Sequence, residues 1–253
     1  MRKIVITSGK GGVGKTTVVA SLGRALSDLG KNVVLVDADV GLNNLDVVMA
    51  LEHKVVYDIV DVISGRCRVS QALIEDAESG LFILPSSSDN PLMTAQTFRN
   101  VIDSLVGFDY VLIDCPAGIE NGFHRAVSSA REALVVTTPA VSAIRDADKV
   151  VSLLAGYQMQ NVSVIINRVR GDMVSRGEMM SPADISRLLR TEPIGVVPDD
   201  ELITLYSQVG KVPDYAASDK AFKLIAENIV YGSRKFYEYQ KTGLLAKLFR
   251  RAR

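Results

Sequence analysis

The chain has 253 residues, 47% apolar and 23% charged, and its 29 basic side chains balance 29 acidic ones. That length can bury a full core as one large α/β domain or two small ones, and the balance excludes a globally basic nucleic-acid binder, though not a local patch of charge. Two isolated cysteines, Cys67 and Cys115, form neither a disulfide framework nor a CxxC metal motif.

The amino-terminal apolar run at Ile4, Val5 and Ile6 is too short for a signal-peptide core. No run approaches the roughly 20 apolar residues that span a bilayer, so the chain is expected to stay inside the cell. Residues 3–7 read as a strand and 16–29 as a helix. Between them, "GKGGVGKT" at residues 9–16 satisfies G-x-x-x-x-G-K-[ST] in the strand–turn–helix context that the motif requires. Its glycines let backbone N–H groups converge on phosphate oxygens, and the helix terminus adds partial positive charge. Lys15 is placed to reach the β- and γ-phosphates, and the Thr16 hydroxyl to ligate Mg²⁺. A second strand at 33–37 ends in Asp37, with Asp39 just beyond. One of these carboxylates suits the attacking water or a metal-bound water, and the other caps local turns. The reading assigns the turns to Asp37 and the water to Asp39.

Further strands are expected at 81–84, 110–114, 133–138, 162–167 and 194–198, with helices at 94–105, 142–155 and 181–189. The strands are continuous β-branched runs, as in a parallel sheet covered on both faces. The alternation predicts a doubly wound, mainly parallel α/β sheet with helices on both faces, the P-loop NTPase class. The strand "YVLID" ends in Asp114, placed to bind Mg²⁺ directly or through water, and the following "CPAG" forms a turn able to sense the γ-phosphate. Residues 173–180 are expected to form a surface loop, and a last helix runs from 218 to about 240.

From residue 243 the sequence is "GLLAKLFRRAR". At 100° per residue, Leu244, Leu245, Leu248, Phe249 and Ala252 share an arc of about 140°. Lys247, Arg250, Arg251 and Arg253 lie opposite. Docking on the core would not need so many cations, and nucleic acid would not need such an apolar stripe. The pattern predicts a tail, residues 241–253, that folds on an anionic membrane surface and is separate from a domain over residues 1–240. No specific nucleic acid is expected as a partner.

"KGGVGKTT", "VDADVGLNNLD", "DCPAGIENG" and "RDADK", in this order, resemble the deviant Walker-A ATPases of the MinD/ParA superfamily, and most of all the branch that positions the bacterial division site. The resemblance implies ATP and Mg²⁺ as ligands and a homodimer when ATP is bound. It makes Lys10 a cation that reaches the partner's phosphates, although a lysine there can also serve its own site. Nucleotide contacts then fall to Lys10, Gly11, Gly12, Val13, Gly14, Lys15, Thr16 and Thr17, and adenine contacts to Asn167, Arg168 and Pro198. Thr16, Asp39 and Asp114 become the metal set, and Lys10, Lys15 and Asp39 the hydrolytic set. Asp146 and Asp148 become partner-facing residues, although a helix amino terminus favours the same carboxylates without any partner. The implied partners are anionic lipid, a division inhibitor and an ATPase-stimulating protein, MinC-like and MinE-like. The implied location is the inner face of the cell membrane. Flagellar-placement and ParA-like partition ATPases share these motifs and stand as the alternative.

Overall fold

The computed structural model describes residues 1–39, 45–86, 91–206 and 216–239. The amphipathic residues Leu244, Leu245, Lys247, Leu248, Phe249, Arg250 and Arg251 lie outside the described residues. In chain order the elements begin with β1 (Arg2–Thr7), α1 (Lys15–Asp28), β2 (Val33–Asp37), α2 (Leu45–Val48), α3 (Ile59–Ile63) and α4 (Val69–Ala72). Then come β3 (Ile74–Glu75), β4 (Phe82–Leu84), α5 (Ala95–Ser104), β5 (Tyr110–Asp114), α6 (Asn121–Val127) and β6 (Glu132–Thr137). The last are α7 (Val141–Leu154), β7 (Asn161–Val169), α8 (Gly171–Ser175), α9 (Pro182–Leu189), β8 (Pro193–Pro198), α10 (Glu201–Tyr206) and α11 (Ala217–Tyr231).

The strands form one sheet of eight in the order β3-β4-β2-β5-β1-β6-β7-β8. Every pairing is parallel except that of β3 with β4. Burial on both faces explains the continuous apolar strands. In β1, Ile4 and Ile6 face a core shared with α1 and α11, while Val5 faces the opposite core with α5, α6, α7 and α9. Each such aliphatic side chain contributes roughly 1.5–3 kcal/mol when fully buried. The doubly wound expectation therefore holds.

Three local features depart from the sequence reading. The last helix, expected to reach about 240, ends at Tyr231, where Gly232 takes a left-handed φ of 65° as its C-cap. The antiparallel β3 was not expected, because a two-residue strand carries no periodicity to read. Residues 173–180 are not wholly loop, since α8 occupies the first part of that stretch. Three helix starts follow side-chain chemistry: Asp58 caps α3, Thr94 caps α5, and Ser181 with Pro182 opens α9. Helices α6, α7, α8 and α11 start without a side-chain cap, and α1 differs from them in starting at a left-handed glycine. Its N-cap is Gly14, with φ 88°, no capping side-chain hydrogen bond and no acidic residue in the first turn.

Candidate functional site

The sheet order reverses at β1, so the turns after β1 and β5 open into one crevice at the strands' carboxyl ends. Residues 8–14 line it as a loop. Gly12 and Gly14 take left-handed conformations that a Cβ would strain. A side chain on Gly14 would also fall 2.7 Å from Asn167 Nδ2. With no carboxylate on the first turn of α1, its N–H groups are left for an anion.

Lys15 and Asp114 are both buried and form an ion pair, Nζ to Oδ1, of 2.6 Å. Burial raises the Asp114 pKa, and Lys15 and the nearby Thr16 hydroxyl pull it back. Its second oxygen, Oδ2, is buried without a hydrogen-bond partner among the described residues. An orphaned carboxylate oxygen beside a threonine hydroxyl is the donor chemistry of a hard divalent cation, so Thr16 and Asp114 fit Mg²⁺. When bound, the ion would neutralise phosphate charge. Asp37 pairs in register with Asp114 across β2 and β5. Its carboxylate accepts the backbone N–H groups of Asp39 at 2.8 Å and Leu45 at 3.3 Å. It is therefore committed to the turn, while Asp39 is half-buried at the crevice.

The turn after β5 is joined to the phosphate loop, since the Gly118 N–H donates to the Ser8 carbonyl at 3.1 Å. Lys10 behaves unlike Lys15. It is exposed, and its ammonium donates to the Ser142 hydroxyl of α7 at 3.3 Å. Nearby, a Cβ on Gly9 would sit 2.2 Å from the carbonyl oxygen of Asp146, so α7 presses directly on the loop. The Asp146 carboxylate is half-buried and pairs with Lys149 at 3.0 Å, whereas Asp148 is exposed. The contact between Gly9 and Asp146 had no signal in the sequence, because it depends on two elements meeting in space.

Asn167, Arg168 and Pro198 do come together. With Gly14, Thr17 and Phe222 they line a cleft of about 40 Å³ beside the phosphate loop. Asn167 is buried; its amide donates to the Val13 carbonyl at 2.8 Å and its carbonyl accepts the Arg168 N–H at 3.0 Å. Arg168 pays for this turn with a left-handed φ of 58°, a conformation uncommon outside glycine. Asp200 also lines the cleft and accepts from both the N–H and the hydroxyl of Ser218. The adjacent "PDD" holds its only sequence signal, a carboxylate ahead of a helix.

A glycine loop opening an uncapped helix, facing a strand-end aspartate on a parallel sheet, defines a P-loop NTPase. Residues 4–212 match the family described as CobQ/CobB/MinD/ParA nucleotide binding domain, and the chain belongs to that family. It is similar to the septum site-determining protein MinD of Bacillus subtilis, 44% identical over 97% of this chain and 96% of the relative. Among solved structures it is similar to the MinC:MinD cell division protein complex of Aquifex aeolicus. There the TM-score is 0.88 and the identity 39%, over 95% of this chain and 100% of the other. It is also similar to the septum site-determining protein MinD complexed with Mg-ADP from Pyrococcus horikoshii. That match has a TM-score of 0.82 and 31% identity, over 90% of this chain and 96% of the other.

Proposed function

We propose that this protein is a Mg²⁺-dependent ATP hydrolase that works as a dimerising switch on the inner face of the cytoplasmic membrane. In this reading it places the division site by recruiting a MinC-like inhibitor and is reset by a MinE-like stimulating protein. The observation that carries the chemistry is the buried pair of Lys15 and Asp114, with Asp114 Oδ2, beside Thr16, lacking a hydrogen-bond partner among the described residues. The relatives' names and the MinC:MinD neighbour support the biological role.

The residues divide the work. Backbone N–H groups of residues 11–16 and the start of α1 hold the phosphates. Lys15 exchanges its bond with Asp114 for phosphate oxygens, while Thr16 and Asp114 hold the metal. Asp39 orients the attacking water, directly or through a metal-bound water. Asn167, Arg168 and the turn at Pro198 receive adenine. Lys10, exposed at the rim, serves the partner's phosphates across the dimer, and α7, with Asp146 and Asp148, meets protein partners.

The tail's magnitudes suit a switch. Each cation near an anionic leaflet contributes on the order of 1 kcal/mol. Partial burial of four large apolar side chains adds a few more, and ordering the helix offsets much of it. One tail binds weakly, and two on a dimer gain from effective concentration. The test is co-sedimentation with vesicles of anionic phospholipid. Sedimentation should require ATP and disappear when residues 243–253 are deleted. Equal sedimentation with ADP and ATP would overturn the switch, and tight DNA binding without vesicle binding would favour the partition alternative.

A further inference from the structure

Helix α11 joins the base cleft to the described end of the chain through a series of specific contacts. At its amino end, Ser218 donates its N–H at 3.0 Å and its hydroxyl at 2.9 Å to Asp200 Oδ2. One turn on, Phe222 lines the cleft with Asn167 and Pro198. At mid-helix a Cβ on Gly195 would lie 2.1 Å from Ile225 Cγ1, so α11 rests on β8 with no space between them.

At the carboxyl end, the buried Asn228 uses the full hydrogen-bonding capacity of its amide. Its NH₂ donates to the carbonyls of Ile194 at 3.0 Å and Lys235 at 2.7 Å. Its carbonyl accepts from the Ser233 hydroxyl at 2.7 Å and the Lys235 N–H at 2.9 Å. Lys235 also pairs with Glu227 at 2.8 Å. The segment clamped in this way, residues 232–239, passes from one sheet face to the other: Tyr237 packs on the α1/α11 core and Tyr239 on the opposite core. A buried amide with every bond made is costly to leave half-satisfied.

We propose that α11 is a relay by which nucleotide in the base cleft sets the packing of residues 232–239, with Asn228 as its positioning residue. The proposal rests on the reading of the cleft as the base site. At about 40 Å³ the enclosed part of the cleft has room for a few waters. A base seated in it bears on both of its walls. One wall, Gly14 to Val18 with Asn167 and Arg168, is fixed to central β1 and to β7. The other, Pro198, Asp199, Asp200, Ile203 and Phe222, belongs to β8, the start of α10 and α11 at the sheet edge. There the pairing of β7 with β8 is broken by register shifts at Val164/Ile165 and Ile166/Val169. The edge wall is the one that yields. Because Ser218, Ile225 and Asn228 tie α11 to β8 or the turn that follows it, strand and helix move as one body, a small shear. Asn228 hands that shift to residues 232–239.

The test is hydrogen exchange of the full chain in solution without vesicles, alone, with Mg-ADP and with a Mg-bound non-hydrolysable ATP analogue. Nucleotide binding is measured on the same samples with a fluorescent analogue. In the wild type, nucleotide should change exchange across residues 233–239 by about threefold or more. Asn228→Asp, which loses both donors, and Ser233→Ala, which loses one bond, should shrink that response while affinity stays within about threefold. Should Asn228→Asp fail to fold, Ser233→Ala carries the comparison. Bound nucleotide with unchanged exchange at 233–239 overturns the relay alone, as does a full response in both variants. Failure of nucleotide to bind removes the base-site reading and the relay with it.

Discussion

Asp37 shows how a single buried carboxylate makes stability at the crevice depend on pH. Burial, and then the neighbouring Asp114, push its carboxyl up to about 7, against the pull of two backbone N–H groups. In the unfolded chain it titrates near 3.8. Between those values the folded protein holds a proton that the unfolded chain has released. Stability therefore falls as pH rises through this window, and the full penalty is present above about 7. Asp37→Asn removes the titration and the repulsion of Asp114, but loses one backbone acceptor, worth about 1 kcal/mol. In denaturant unfolding without nucleotide, the variant should lose less stability between pH 5 and pH 8 than the wild type, by about 1–3 kcal/mol. Parallel pH profiles for the two proteins would refute this account. The strand–loop–helix frame around Lys15 and the strand end at Asp114 were legible because the motif sets residue types at a fixed spacing from a strand end. The sequence also assigned the local turn to Asp37, whose carboxylate accepts two backbone N–H groups there. It could not reveal that Lys15 rests on Asp114 or that Asn167 holds Val13, since both bonds join distant segments.

Elements were legible in proportion to their length and burial. The strands at 33–37 and 110–114 match the expected bounds, because every residue in them is buried and the apolar run ends at a charged residue. Short helices such as α4, α6 and α8 escaped, since seven residues or fewer give too little periodicity to separate from a turn. Also hidden was the closeness of β8 to α11, which depends on Gly195 having no side chain. Gly195→Ala places a Cβ 2.1 Å from Ile225 Cγ1, and an overlap of this kind in a packed layer costs about 1–3 kcal/mol. Ile225→Ala alone leaves a cavity and should cost about 2–5 kcal/mol. Combined, the new methyl occupies space that the lost side chain vacates, so the double variant should be more stable than the sum of the two losses allows. The measurement is a double-mutant cycle in denaturant, and strict additivity would show that the helix does not bear on the strand there.

At the scale of the whole molecule, the two lysines of the phosphate loop occupy opposite environments. Lys15 is buried against Asp114, and Lys10 is exposed and leans on Ser142 of α7. Under the proposed dimer, a cation at the rim of its own site is placed to enter a neighbour's and complete it. Mixed dimers test this directly. Lys10→Ala protein keeps its own Asp39, and Asp39→Ala protein keeps its own Lys10; each is inactive alone under either account. If Lys10 acts across the dimer, every heterodimer contains one site with Asp39 from the first chain and Lys10 from the second. The other site lacks both. Statistical mixing at equal amounts makes half the dimers heterodimers, which should restore about a quarter of the wild-type ATPase rate. If Lys10 serves its own site, no pairing brings an intact Lys10 and an intact Asp39 to the same nucleotide, and mixing restores nothing. Since α7 touches the loop at Gly9 and holds Lys10 through Ser142, the placement of α7 bears on the residue whose reach decides between these outcomes.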